Sequence, residues 1–167
     1  MPKSNKIVIN TGPILALIAG LGNLDVLKLM YDQVIVSYEV CKEIEAGGIT
    51  GFGLKEFNEA EFLIKIQKPL IIQPYLQNSL DLGEASVIQT AIDQKITTVC
   101  IDEALGRRAA RLSGLSLTGS LGIIIRAKKN GHILPSLRQV TSQMQTQGIY
   151  LSDKLIAFTL RQIGEKK

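Results

Sequence analysis

A chain of 167 residues, 46% hydrophobic and 20% charged, has the size and balance of one globular domain and leaves no room for a long disordered block. No run approaches the roughly 18–20 uninterrupted apolar residues of a membrane helix. Ile7–Ile9, behind Lys3 and Lys6, reads as a strand rather than the core of a cleaved signal, so a cytoplasmic protein is expected. The net charge of +4 allows a nucleic-acid partner without requiring one.

The first strand, Lys6–Ile9, ends at Asn10-Thr11-Gly12-Pro13, where proline suits the first turn of a helix that runs to Gly20-Leu21-Gly22. Asn23 is placed to cap a helix over Leu24–Tyr31. Val34–Val36 is a second strand, and Ser37 a cap for Tyr38–Ala46. The glycine-rich stretch Gly47–Gly53 matches no phosphate-loop spacing and reads as a plain loop. A helix over Leu54–Glu61 and short strands at Leu63–Ile66 and Leu70–Ile72 follow, with Pro74 to Asn78 as connection. Leu80–Gln94 is a helix, Thr97–Ile101 a β-prone strand and Glu103–Leu112 a helix. Leu115–Leu117 is a strand, Gly119–Asn130 a helix, and the remainder from Leu134 two helices split near Gly148–Leu151. Cys41 and Cys100 are isolated and read as buried thiols rather than a disulfide.

Strands alternating with helices predict an α/β fold of three layers, α/β/α, around a central parallel sheet, with ligands at the carboxyl ends of the strands. Polar residues gather at those ends. Asn10 closes the first strand and Asp102 the strand Thr97–Ile101; Glu84 opens the helix between them, and Glu43 lies one turn beyond Glu39. Hard oxygen donors from separate elements suit Mg²⁺ or Mn²⁺, which activate water and clamp a phosphodiester. Each residue also has a plain structural reading. Asp102 can cap the helix that follows it, and Glu84 can form a capping box with Asp81. Glu39 and Glu43 can be solvated charges, and Asn10 a turn residue.

The ordered set resembles the PIN-domain family. Asn10-Thr11-Gly12-Pro13 after an apolar strand is similar to the opening of PIN domains, which usually carries aspartate first. Val36 to Ile44 resembles their second motif, Leu82 to Ala91 the third, and Thr97 to Asp102 the fourth. Leu117 to Gly122, with Ala127 to Gly131, resembles a prokaryotic subgroup of predicted nucleic-acid-binding proteins, and the likeness spans Lys6 to Gly131. The resemblance implies a nuclease domain over residues 1–131 and a helical extension over 132–167 packed on the same domain. It places Asn10, Glu43, Glu84 and Asp102 at the four acidic, metal-holding and catalytic positions, with an amide where the family has a carboxylate.

Around those positions, Thr11 offers a hydroxyl to the site or simply completes the turn. Arg107 and Arg111 share a helix face that suits substrate phosphates, or is merely solvated and paired to Glu103. Ser120, in the Gly119/Gly122 turn, offers a helix-start N–H to a phosphate. Arg126, Lys128, Lys129 and His132 gather near a helix end, where the dipole favours them in any case. His132 is the only histidine, which argues against a histidine-based zinc or triad site. The resemblance implies a metal-dependent ribonuclease similar to the toxin of a toxin–antitoxin pair, acting on RNA, homodimeric and bound by a small antitoxin protein. The alternative is a catalytically weak or inactive module on the same fold that binds nucleic acid or a partner. A receiver or nucleotide-binding protein fits less well, because the first strand end lacks paired acids and no P-loop is present.

Overall fold

In the computed structural model, which describes residues 5–47 and 51–165, β1 (Lys6–Ile9) lies at the centre of the sheet. Among these residues the sheet has five strands, ordered β3-β2-β1-β4-β5 and parallel throughout, with β2 at Gln33–Val36, β3 at Ile64–Lys65, β4 at Thr98–Cys100 and β5 at Ser116–Thr118. Ile7, Val8, Ile9, Val99 and Cys100 have no solvent exposure, as expected of strands covered on both faces. The order reverses between β1 and β4. The crevice outside the carboxyl ends of these two strands is the expected ligand position of such a sheet.

The helices are α1 (Thr11–Leu21), α2 (Asp25–Met30), α3 (Tyr38–Glu45), α4 (Leu54–Glu59), α5 (Pro74–Ser79), α6 (Leu82–Gln94), α7 (Ala104–Leu112), α8 (Ser120–Lys129), α9 (Leu137–Thr146) and α10 (Asp153–Gln162). They flank the sheet in a three-layer α/β/α arrangement. α3, α5, α6 and α7 pack together, as do α1, α2, α8, α9 and α10, and α1 also touches α3. The most extensive packing between helices is α9 on α1. A Cβ at Gly20 would lie 2.7 Å from Val140 and 3.0 Å from Met144, so glycine lets the two helices approach.

Most local signals act as read. Ser37 Oγ accepts from Val40 N–H at 3.1 Å as the cap of α3, and α1 ends at Gly22 with a left-handed φ of 83°. Asn23 sits one residue earlier than a cap: Leu24 holds that position, and Asn23 Oδ1 accepts from Asp25 N–H. Leu70–Ile72 forms no strand. The Leu70 N–H donates to Glu39 Oε2 (3.0 Å) and the Gln73 N–H to Gln89 Oε1 (3.0 Å), so side chains take the donors a ladder would need. Pro74–Ser79 is a helix rather than a connection, with proline at its first turn. Within the loop Gly47–Gly53, residues Gly48, Ile49 and Thr50 lie outside the described residues. Cys41 and Cys100 are free and buried, and burial pushes both thiols up, which suits packing rather than nucleophilic chemistry. No helix of the described residues is long and apolar enough to cross a membrane.

Candidate metal centre

α6 carries the centre of the site. Its residues from Gly83 to Ala91 are all buried, including four polar ones. Three of these are satisfied: Ser86 Oγ meets Ser37 Oγ at 2.7 Å, Thr90 Oγ1 donates to Ser86 O, and Gln89 bonds to Gln73 and Asp93. Glu84, only 5% exposed, is the exception, since its Oε2 is buried with no hydrogen-bond partner. Asp81 caps the helix, accepting from Glu84 N–H at 2.8 Å, which turns its carboxylate toward Glu84. Glu103 closes in from the start of α7. One oxygen each of Asp81, Glu84 and Glu103 lie within 4.8 Å of one another.

Asn10 and Glu43 complete the ring from β1 and α3. A Cβ at Gly83 would lie 2.5 Å from Glu43 Oε2, 3.4 Å from Asn10 Oδ1 and 3.5 Å from Asp81 Oδ1, so these oxygens crowd the space glycine leaves open. Asn10 starts α1 without a side-chain cap bond, and its Oδ1 is also buried and unpartnered. Thr11 Oγ1 donates to Glu43 Oε2 at 3.0 Å and orients that carboxylate. Burial, followed by the neighbouring carboxylates of Asp81 and Glu103, pushes Glu84 up to about 8. Glu43 is also raised, by burial first, although the Thr11 bond opposes the shift.

Buried acceptors without donors are rare in folded chains. Among the described residues three side-chain oxygens are of this kind, and two of them, on Asn10 and Glu84, belong to this ring; the third is on Glu39. Once ionised, carboxylates and an amide oxygen cannot donate to each other, so either Glu84 keeps its proton, as its raised pKa of about 8 indicates, or a divalent cation with a preference for oxygen takes its place. The structure therefore brings together three of the residues read from sequence, Asn10, Glu43 and Glu84, and adds Asp81 and Glu103. The plain capping reading is correct for Asp81, and the oxygen that caps, Oδ1, also lies 3.5 Å from the Cβ position at Gly83, beside Glu43 and Asn10. A charged residue directly after a strand-end aspartate was the only signal for Glu103.

Asp102 is held elsewhere. Its Oδ1 accepts from Ser120 N–H at 2.8 Å and its Oδ2 from Ser120 Oγ at 2.9 Å, so it ties β4 to the start of α8 instead of capping α7. Ser120 accordingly has its donors committed to Asp102 rather than free for a phosphate. Arg107 is not paired with Glu103; its Nη1 donates to the Ile101 carbonyl oxygen at 2.9 Å, and the guanidinium borders a cleft of about 950 Å³ together with Asp102 and Glu103. Arg111 is exposed one turn further along α7 and does not line that cleft. Lys128 donates to Pro135 O at 2.9 Å and Arg126 bonds the Tyr31 hydroxyl, so these two members of the basic group have structural partners.

An all-parallel α/β sheet with buried Asn10 and Glu84 and the exposed carboxylates of Glu43, Asp81 and Glu103 at its switch point has the fold of a nuclease-type domain and an acidic cluster that fits a metal site. A family model described as a PIN domain matches residues 6–165, running past Gly131 through α9 and α10, and the chain belongs to the PIN-domain family. Members of that family are generally nucleases that use divalent metals and bind nucleic acids. No curated protein matches the chain.

The crowding at Gly83 yields a direct test. Gly83→Ala is expected to push the flexible Glu43 carboxylate out of the ring and weaken Mn²⁺ binding about tenfold or more, as loss of one ligand would. Stability should change by less than about 1 kcal/mol, because alanine is the better helix former. Calorimetric titration with Mn²⁺ alongside a thermal melt separates the two effects. Unchanged affinity would remove Glu43 from the metal set.

Proposed function

We propose that the protein is a metal-dependent endoribonuclease whose cation is held by Asn10, Glu43, Glu84, Asp81 and Glu103. The observation that carries this reading is the pair of buried, unpartnered oxygens on Asn10 and Glu84 within a ring of carboxylates. The chemistry that a bound Mg²⁺ or Mn²⁺ supplies in such a ring is polarisation of the phosphate and activation of water. The chain's own residues do the remaining work. Thr11 holds Glu43 in position through its hydroxyl. Asp102 fixes the start of α8 against the end of β4, which sets the shape of the cleft mouth. Arg107 spends one N–H on Ile101 and keeps its other donors for substrate phosphate.

Asn10 stands where the family usually carries aspartate, and Asp81 and Glu103 bring the carboxylates of the proposed set to four. The wider reading is a toxin acting on cellular RNA, homodimeric, cytoplasmic and restrained by a small antitoxin protein. A small reading frame directly upstream that co-purifies with the chain would support it.

The activity is tested on a labelled RNA with Mn²⁺, Mg²⁺ or EDTA. Cleavage that requires the metal is expected, and a chain that cuts nothing with any divalent ion yet still binds RNA would leave the binding-module reading in its place. Arg107→Ala should weaken RNA binding and lower the slope of log K against log salt by about one. Arg111→Ala, outside the cleft, should change the slope by less. The reverse order would move the phosphate contact to the outer face of α7.

A further inference from the structure

Between the helices that carry Glu43 and Glu84, two serines meet that the metal ring does not use. Ser37 caps α3, and Ser86 lies in α6 two residues beyond Glu84; neither has any solvent exposure. Their hydroxyl oxygens are 2.7 Å apart. Counting hydrogens fixes the direction of that bond. Ser86 Oγ has one proton, and it goes to the Gly83 carbonyl oxygen at 2.7 Å, which can only accept. Ser37 must therefore donate to Ser86, while its own oxygen accepts from the Val40 N–H at 3.1 Å. The bonds form one relay, from the Val40 N–H through Ser37 and Ser86 to Gly83, with every proton used. Turning either hydroxyl round would leave a buried polar atom without a partner, which is costly in a core.

The relay ends where the ring is tightest. A Cβ at Gly83 would lie 2.5 Å from Glu43 Oε2, with oxygens of Asn10 and Asp81 beside it. α3 and α6 pack on each other there, and each brings a carboxylate to the same point. Without a cation those carboxylates repel when ionised, and apolar contacts, having no preferred direction, would let the helices shift to relieve the repulsion. A hydroxyl–hydroxyl bond holds over only a few tenths of an ångström, so a satisfied polar pair imposes one register.

We propose that Ser37 and Ser86 are positioning residues for the cation: their relay holds α3 and α6 in the register that keeps Glu43 and Glu84 together before a metal binds. This rests on the metal-centre reading above and goes beyond it, because it assigns the preformed geometry to two side chains outside the ring. Thr90 supplies the comparison. It is on the same helix and equally buried, and its hydroxyl donates to Ser86 O at 2.7 Å, but that bond stays within α6.

The test measures Mn²⁺ affinity by titration calorimetry, and stability by denaturant unfolding in EDTA, for wild type, Ser86→Ala, Ser37→Ala, the double variant and Thr90→Ala. Ser86→Ala should weaken Mn²⁺ binding about tenfold, as removal of a group that orients a metal ligand does. Ser37→Ala should weaken it by a similar factor. The double variant should bind no more weakly than the weaker single one, because one break already opens the relay. Its stability should still fall below that of Ser86→Ala, since the cap of α3 is lost as well. Thr90→Ala should cost stability and leave Mn²⁺ affinity as in wild type. The proposal is overturned if Ser86→Ala binds Mn²⁺ as tightly as wild type, or if Thr90→Ala weakens binding as much as Ser86→Ala does. It is overturned equally if the two serine effects simply multiply in the double variant. A wild type that binds no Mn²⁺ overturns the metal reading and this proposal with it, whereas wild-type binding that ignores both serines overturns the proposal alone.

Discussion

Glu84→Gln is expected to make the metal-free protein more stable while abolishing its Mn²⁺ affinity and its metal-dependent cleavage. Glu84 ionises at about 8 in the folded chain and near 4.5 when unfolded. Below pH 4.5 the carboxyl is protonated in both states and costs nothing. Between 4.5 and about 8 the unfolded chain ionises first, so the folded state loses relative stability as pH rises, and the full penalty is present above 8. For a group so deeply buried the penalty is on the order of several kcal/mol. Glutamine has the same shape and no charge, and its amide N–H groups can donate to Asp81 and Glu103. In EDTA, wild type should therefore melt about 5–10 °C lower at pH 8 than the variant, with the gap closing toward pH 5. Added Mn²⁺ should raise the wild-type melting temperature and leave that of Glu84→Gln unmoved. Metal binding to wild type should also release a proton at pH 7, which calorimetry in buffers of different ionisation enthalpy reads directly. A variant that melts lower than wild type at pH 8 in EDTA, or that still binds Mn²⁺, would show that Glu84 is a structural group and not part of a cation site.

The opposite response is expected at the first strand end. Asn10→Asp places a carboxylate where the amide oxygen is buried without a partner, beside Glu43 and Asp81. Without a cation the new charge faces like charges in a desolvated position, and stability should fall by about 1–3 kcal/mol at neutral pH. With a cation the same charge lies close to it, and Mn²⁺ affinity should rise at least tenfold, since even at a high effective dielectric one nearby charge is worth more than about 1.4 kcal/mol. Cleavage should speed up in the same direction. Titration calorimetry and melts with and without Mn²⁺ report both halves. Equal Mn²⁺ affinity in the two proteins would place position 10 outside the metal set.

These two changes also show which parts of the protein were open to reading without coordinates. The alternation of apolar runs and caps, with Ser37 before α3 and Asp81 before α6, was sufficient for the parallel α/β fold. Such signals depend on neighbours a few residues away. The strand ends could be named for the same reason, and with them Asn10, Glu43 and Glu84 as oxygens that converge. What lay beyond local reading was direction. Asp102 and Glu103 are adjacent and equally acidic, yet one is drawn to Ser120 at the start of α8 and the other to Asp81 and Glu84. Leu70 gives its N–H to Glu39, 31 positions earlier in the chain, and a predicted strand is lost. Tyr150 lines the same cleft as Arg107 only because α9 packs on α1 through Gly20 and carries the following turn there. Pattern along a chain reports burial and local backbone shape. Where a side chain at the end of a strand points, and what stands across from it, depends on contacts between segments far apart in sequence, and those form only when the layers close.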